Sequence, residues 1–122
     1  MNPAIEQRLL DELQTAEQSR DAHALETALG RLSLYYVAEG RCTEAASYYR
    51  RQALLVEQTT SADSRELGTL LHNMAIMCLL PADLLAEART VLVRAKEIYS
   101  HHFRPEDEGI REIDRLLHEL PT

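Results

Sequence analysis

Apolar residues recur along this chain as Leu29, Leu32 and Tyr36, then as Leu71, Met74 and Cys78, then as Ile113, Leu116 and Leu120, each set 42 residues after the last. Offsets of three and four residues place each set on one stripe of an α-helix. A fixed period of this size marks a chain of stacked helical units that bury one another's apolar faces. Helix starts and stops fall where that reading needs them. Asn2-Pro3 opens a first helix over about residues 3–18, with Ile5, Leu9, Leu13 and Ala16 on one face. Asp21 is the expected cap of a second helix that Gly40 stops, and Thr43 that of a third running to about residue 58. Residues 59–64 form a polar turn. A fourth helix then runs to Leu80 and ends at Pro81, and Asp83 is the expected cap of a fifth that finishes near His101-His102. After the break at Arg104-Pro105, a sixth helix occupies about residues 106–120.

Composition supports an all-helical chain. Gly and Pro number four each among 122 residues, while Leu, Ala, Glu and Arg, the strong helix formers, dominate. One domain, 1–122, is the natural count for this length. The formal net charge of −7 argues against a nucleic-acid binder, which needs a basic stripe, and against docking on an anionic membrane surface. No apolar run approaches the roughly 20 residues of a membrane span. The opening Met1-Asn2-Pro3-Ala4-Ile5-Glu6 lacks the basic and apolar segments of a secretion signal, so a cytoplasmic protein is expected. Cys42 and Cys78 read as free thiols in that setting.

The second and third helices together resemble a tetratricopeptide repeat. The pattern stands here as Leu29-x2-Leu32-Ser33-x2-Tyr36, then Gly40, then Ala45-x3-Tyr49. The next pair reads Leu71-x2-Met74-Ala75-x2-Cys78, then Ala88-x3-Leu92-x2-Ala95, and the last helix gives Ile113-x2-Leu116-Leu117-x2-Leu120. Ser33, Ala75, Ala45 and Ala88 are small enough for paired helices to approach closely. The 42-residue period and Leu71-His72-Asn73-Met74-Ala75 look most like the kinesin-light-chain subtype. Departures are Leu29 for the usual tryptophan, Ser33 for glycine or alanine, Cys78 for tyrosine, and Gln52 where a small residue is expected. The resemblance implies an antiparallel helix-turn-helix α-solenoid of about two and a half repeats after an N-terminal helix. Repeat one spans about residues 22–58, repeat two about 64–102, and a capping helix about 106–120.

Catalytic and metal chemistry find little support. His101 and His102 are adjacent and point to different sides of a helix, His23 and His118 lie far apart in the chain, and no HExxH arrangement occurs. Glu106-Asp107-Glu108 reads as a charged helix start. Cys78 sits on an apolar stripe and reads as a buried thiol rather than a nucleophile. Phosphate-binding glycine loops and a G-x-S-x-G elbow are absent from the sequence. Tyr36 and Tyr49 serve the core stripe, while Tyr35 and Tyr48 face elsewhere and stay open between a structural role and an aromatic binding platform. The expectation is a protein without catalytic residues, metal or cofactor.

In a tetratricopeptide array the first helices line a concave groove. The resemblance assigns to it Thr27, Gly30, Leu34, Val37 and Ala38 of repeat one, and Thr69, His72, Asn73, Ile76, Leu79 and Leu80 of repeat two. Arg111, Asp114 and His118 share that phase on the last helix. Gly30, Leu34 and Thr69 stand where a clamp for a peptide carboxylate needs polar groups, and only Asn73 fits one. The groove centre is instead apolar, suited to an amphipathic helix or apolar stretch of another protein. Its competitor is burial of that row by the chain itself or by a second copy in a homodimer. Two functions follow as expectations: an adaptor or scaffold capturing a protein segment, or a dedicated cytoplasmic chaperone of a bacterial secretion-system subunit.

Overall fold

The computed structural model describes residues 2–121; Met1 and Thr122, the ends of the expected domain, lie outside the described residues. Among the described residues, six α-helices make up the fold: α1 (Pro3–Ser19), α2 (Ala22–Ala38), α3 (Cys42–Thr59), α4 (Arg65–Met74), α5 (Leu85–His102) and α6 (Glu108–Glu119). A π-helical segment, Ala75–Leu79, continues α4. No strand occurs among the described residues, and no helix is long and apolar enough to cross a membrane.

Several helix ends form as the sequence dictates. The Asn2 side chain accepts hydrogen bonds from the amides of Ala4 and Ile5, and Asp21 does the same for His23 and Ala24. Gly40 adopts φ 74°, the left-handed stop that a side chain would strain. Two expected caps are corrected. Thr43 lies inside α3, whose cap position is Arg41 with no side-chain cap bond. The Arg41 guanidinium instead holds Glu44 at 2.6 Å and Glu6 of α1 at 3.1 Å, with its carbon 4.6 Å from the centre of the Tyr36 ring. Asp83 does not cap α5 either; it takes φ 61° within the preceding turn, a conformation its short polar side chain tolerates, and Leu84 holds the cap position. Beside Arg41, Glu6 is held below the ordinary carboxylate range, first by the Arg41 hydrogen bonds and then by that of the Tyr36 hydroxyl.

Consecutive helices pack on one another, and their ion pairs fix the directions. Arg31 of α2 reaches Glu12 of α1, and Tyr36 reaches Glu6, so these two helices run antiparallel. Arg51 of α3 meets Glu17 of α1 while Arg41 meets Glu6, which makes α1 and α3 parallel. Arg50–Glu87 and Glu57–Arg94 join α3 to α5 in the same sense. Lys96 holds Asp114, and Arg89 donates to the carbonyls of Leu120 and Pro121, so α6 returns antiparallel along α5.

The core follows the repeated stripe. Leu29, Leu32, Ser33, Leu67, Ala75, Cys78, Leu92 and Ile113 are all essentially inaccessible, as are the small residues Ala45 and Ala88. Ser33 satisfies its hydroxyl by donating to the Leu29 carbonyl. Burial pushes the Cys78 thiol up to about 11, consistent with an inert core thiol. Gly68 lets α4 approach α5 closely, since a Cβ there would lie 2.9 Å from Ile98 and 3.0 Å from the Tyr99 ring. The unexpected Gln52 is matched by a small neighbour: a Cβ on Gly30 would meet its amide nitrogen at 3.1 Å.

A second polar junction ties the α3–α4 turn to the end of α5. His101 Nδ1 lies 2.5 Å from the Asp63 carboxylate, and His102 Nε2 donates to the Asp63 carbonyl at 2.6 Å. The Asp63 hydrogen bond, with the carboxylate's charge behind it, raises the His101 pKa above its ordinary 6.5. A raised folded-state pKa gives stability that is complete below the unfolded value and lost as pH rises through the folded one. The wild-type melting temperature should therefore exceed that of His101→Gln by more at pH about 6 than at pH about 8.5. Both groups are exposed and screened, so the gap is small. An equal gap at both pH values would show that the pair contributes nothing.

Candidate functional site

Most of the expected row on the first helices divides between exposed and half-buried positions. Thr27, Ala38, Thr69 and Asn73 are exposed, Leu34 retains 54 % of its surface and Ile76 retains 37 %. Val37 and Leu80 are half-buried against the core. Arg111, Asp114 and His118 are exposed on α6. Leu34 and Ile76 occupy the same register point, 42 residues apart, on α2 and on the continuation of α4.

Three members of the row are corrected. Leu79 is fully buried. The expected phase assumed uninterrupted α-helical winding, but Leu80 N donates to Ala75 O at 2.9 Å across a π turn. Each residue of such a turn rotates less, and the helix brings Leu79 round to the core stripe. Gly30 faces the Gln52 side chain and is half-buried, so its smallness serves packing rather than a ligand. His72 is largely enclosed, its side chain 11 % exposed, with Nε2 2.9 Å from Glu112 of α6 and Nδ1 3.2 Å from the Tyr99 hydroxyl of α5. A carboxylate only accepts, so Nε2 carries the proton. This imidazole joins three helices.

Beside the row lies a hollow of about 480 Å³ between α2 and α4, lined by Glu26, Val56, Arg65, Glu66, Thr69, Leu70, Asn73 and Phe103. Thr69 and Asn73 thus belong both to the expected row and to this hollow. Phe103 is the chain's one phenylalanine; it is 37 % exposed and packs edge-on to Tyr99 at 5.7 Å. Its signal in the sequence was a lone large apolar residue directly before the Arg104-Pro105 break. Met77, also missed, is 39 % exposed on the π segment, and its sulfur accepts from the Tyr49 hydroxyl at 3.3 Å. A second groove of about 650 Å³ runs between α1 and α2.

Chemically, the surface offers apolar side chains, hydroxyls, an amide and flanking charges of both signs. No cluster of His, Cys, Asp or Glu among the described residues is arranged to hold a metal ion. Cys42 and Cys78 form no disulfide. No family model and no curated protein matches the chain.

Proposed function

We propose that this chain is a non-catalytic protein-interaction module of tetratricopeptide-repeat type, whose first helices capture an amphipathic or apolar segment of another protein. The carrying observation is the pair Leu34 and Ile76, two large aliphatic side chains exposed at the same register point of successive units. Met77 lies beside Ile76 in sequence and is exposed too, and thioether side chains adapt to varied apolar partners. Thr69, Asn73, Arg65 and Glu26 surround the adjoining hollow with polar groups that would orient a bound segment. The repeat reading is supported by the alternation of helix directions, by burial of the small residues Ala45 and Ala88, and by close approach at Gly68. A dedicated chaperone is the second reading; the excess of acidic residues together with an apolar row favours it.

The test is selection of helical peptides from a displayed library, followed by binding to Leu34→Asp/Ile76→Asp. The expected result is loss of capture by about tenfold or more, with helix content and melting temperature nearly unchanged. Capture that survives this double substitution would move the binding surface elsewhere. An adaptor should be a stable monomer at the concentrations of that assay, whereas a chaperone should copurify one-to-one with a single aggregation-prone client.

A further inference from the structure

The groove between α1 and α2 lies apart from the row proposed above. Its floor is Ala16 and Ala28, both buried, with Ala24 half-buried beside them, and Arg8 and Arg31 stand at its rims. The α2 wall has a direct counterpart in the chain. His23, Ala24, Thr27, Ala28 and Arg31 stand 42 residues before Arg65, Glu66, Thr69, Leu70 and Asn73, which form the α4 wall of the other hollow. Along that 480 Å³ hollow runs α2, which contributes Glu26. Alongside α5 and α6 runs α4, whose His72 contacts Tyr99 and Glu112. In both places the neighbouring helix is one that carries the repeated apolar triplet. The third triplet-bearing helix is α6, and among the described residues no helix lies along the α1–α2 groove.

We infer that this groove receives α6 of a second copy, so that molecules join head to tail. The lengths agree: α6 has 12 residues, about 18 Å, and the α1 wall extends from Arg8 to Ser19, an equal span. The register supplies the contacts. Asp114 stands 42 residues after His72, and Ala28 stands 84 residues before Glu112. A docked α6 therefore carries Asp114 to the neighbourhood of Ala28, one turn from the Arg31 guanidinium. Both side chains are about half exposed in the single chain, at 50 % and 53 %. Leu117, half-buried and one turn beyond Asp114, then fills the space above the alanine floor. The two surfaces differ, so the contact is heterologous and extends into a series instead of stopping at a pair. The inference rests on the repeat register proposed above and not on the Leu34–Ile76 row.

Sedimentation of the full chain over a wide concentration range tests it. Wild type should show a concentration-dependent series beyond the dimer. Thr15→Arg/Thr27→Arg blocks the groove at two exposed positions, and Asp114→Arg/Leu117→Glu alters the incoming helix. Each should weaken self-association by about tenfold or more, with circular dichroism confirming the fold. Should the second variant unfold, Asp114→Arg alone replaces it. Mixed together, the two variants should form a one-to-one dimer that goes no further, since one keeps an intact groove and the other an intact helix. A wild type that remains monomeric at the highest concentration overturns the inference. So does a mixture that fails to pair, or a groove-blocked variant that associates like wild type. Leu34→Asp/Ile76→Asp should associate normally, which separates failure of this inference from failure of the proposed peptide capture.

Discussion

Leu32→Asp should abolish the cooperative thermal transition, while Leu34→Asp, two residues along the same helix, should leave it nearly in place. Leu32 is wholly buried on the inner face of α2, whereas Leu34 keeps 54 % of its surface. At Leu32 the chain would lose about 1.5–3 kcal/mol of apolar burial and would enclose an unpaired carboxylate, at a further cost of several kcal/mol. The sum approaches the whole stability of a domain this size, about 5–15 kcal/mol. At Leu34 the carboxylate stays in water, and the change should remain within about 0.5 kcal/mol. Far-ultraviolet circular dichroism against temperature separates the two. Similar melting curves for both variants would show that the inward and outward faces of α2 are wrongly assigned.

Removal of α6, by ending the chain before Glu106, should produce the second large effect. Ile110 and Ile113 are buried at 3 % and 0 % exposure, and two such side chains contribute about 3–6 kcal/mol before the remainder relaxes. Loss of α6 uncovers apolar surface on α5, including the Tyr99 ring beside Gly109, and deprives His72 of Glu112. A melting temperature lowered by many degrees, with aggregation on heating, is the expected result. Unchanged stability would show α6 to be a loose appendage. Well below its melting temperature the shortened chain should also lack the head-to-tail series, because it lacks the helix proposed to enter the α1–α2 groove.

The sequence carried much of the architecture because its signals were redundant. Leu29, Leu32 and Tyr36 are inward by periodicity, and all three are buried. Asn2, Asp21 and Gly40 punctuate the helices by local chemistry that no distant contact disturbs. Thr43 failed because tertiary contacts outweighed propensity: Arg41 binds Glu6 and Glu44, and the helix starts beside it. The α3–α5 pairs Arg50–Glu87 and Glu57–Arg94 were equally hidden, since ion pairs between distant helices leave no local pattern. On the candidate surface, phase alone sufficed for Leu34 and Ile76. It did not suffice for Gly30 or His72, whose roles depend on partners about 22 and 40 residues away.

The π turn also changes how the two units correspond. Leu29 and Leu71 lie 42 residues apart, but Ala45 and Ala88 lie 43 apart, so the second unit carries one residue more between these points. A comparison that places the resulting gap in the loop after the helix pairs Val37 with Leu79, a half-buried residue with an inaccessible one. Placing the gap inside Ala75–Leu79 pairs Tyr36 with Leu79, both buried, and Val37 with Leu80, both half-buried. The length difference between the units is thus absorbed within a helix. An alignment of these two helix pairs that permits gaps only in loops mispairs every position from the π turn to the next helix.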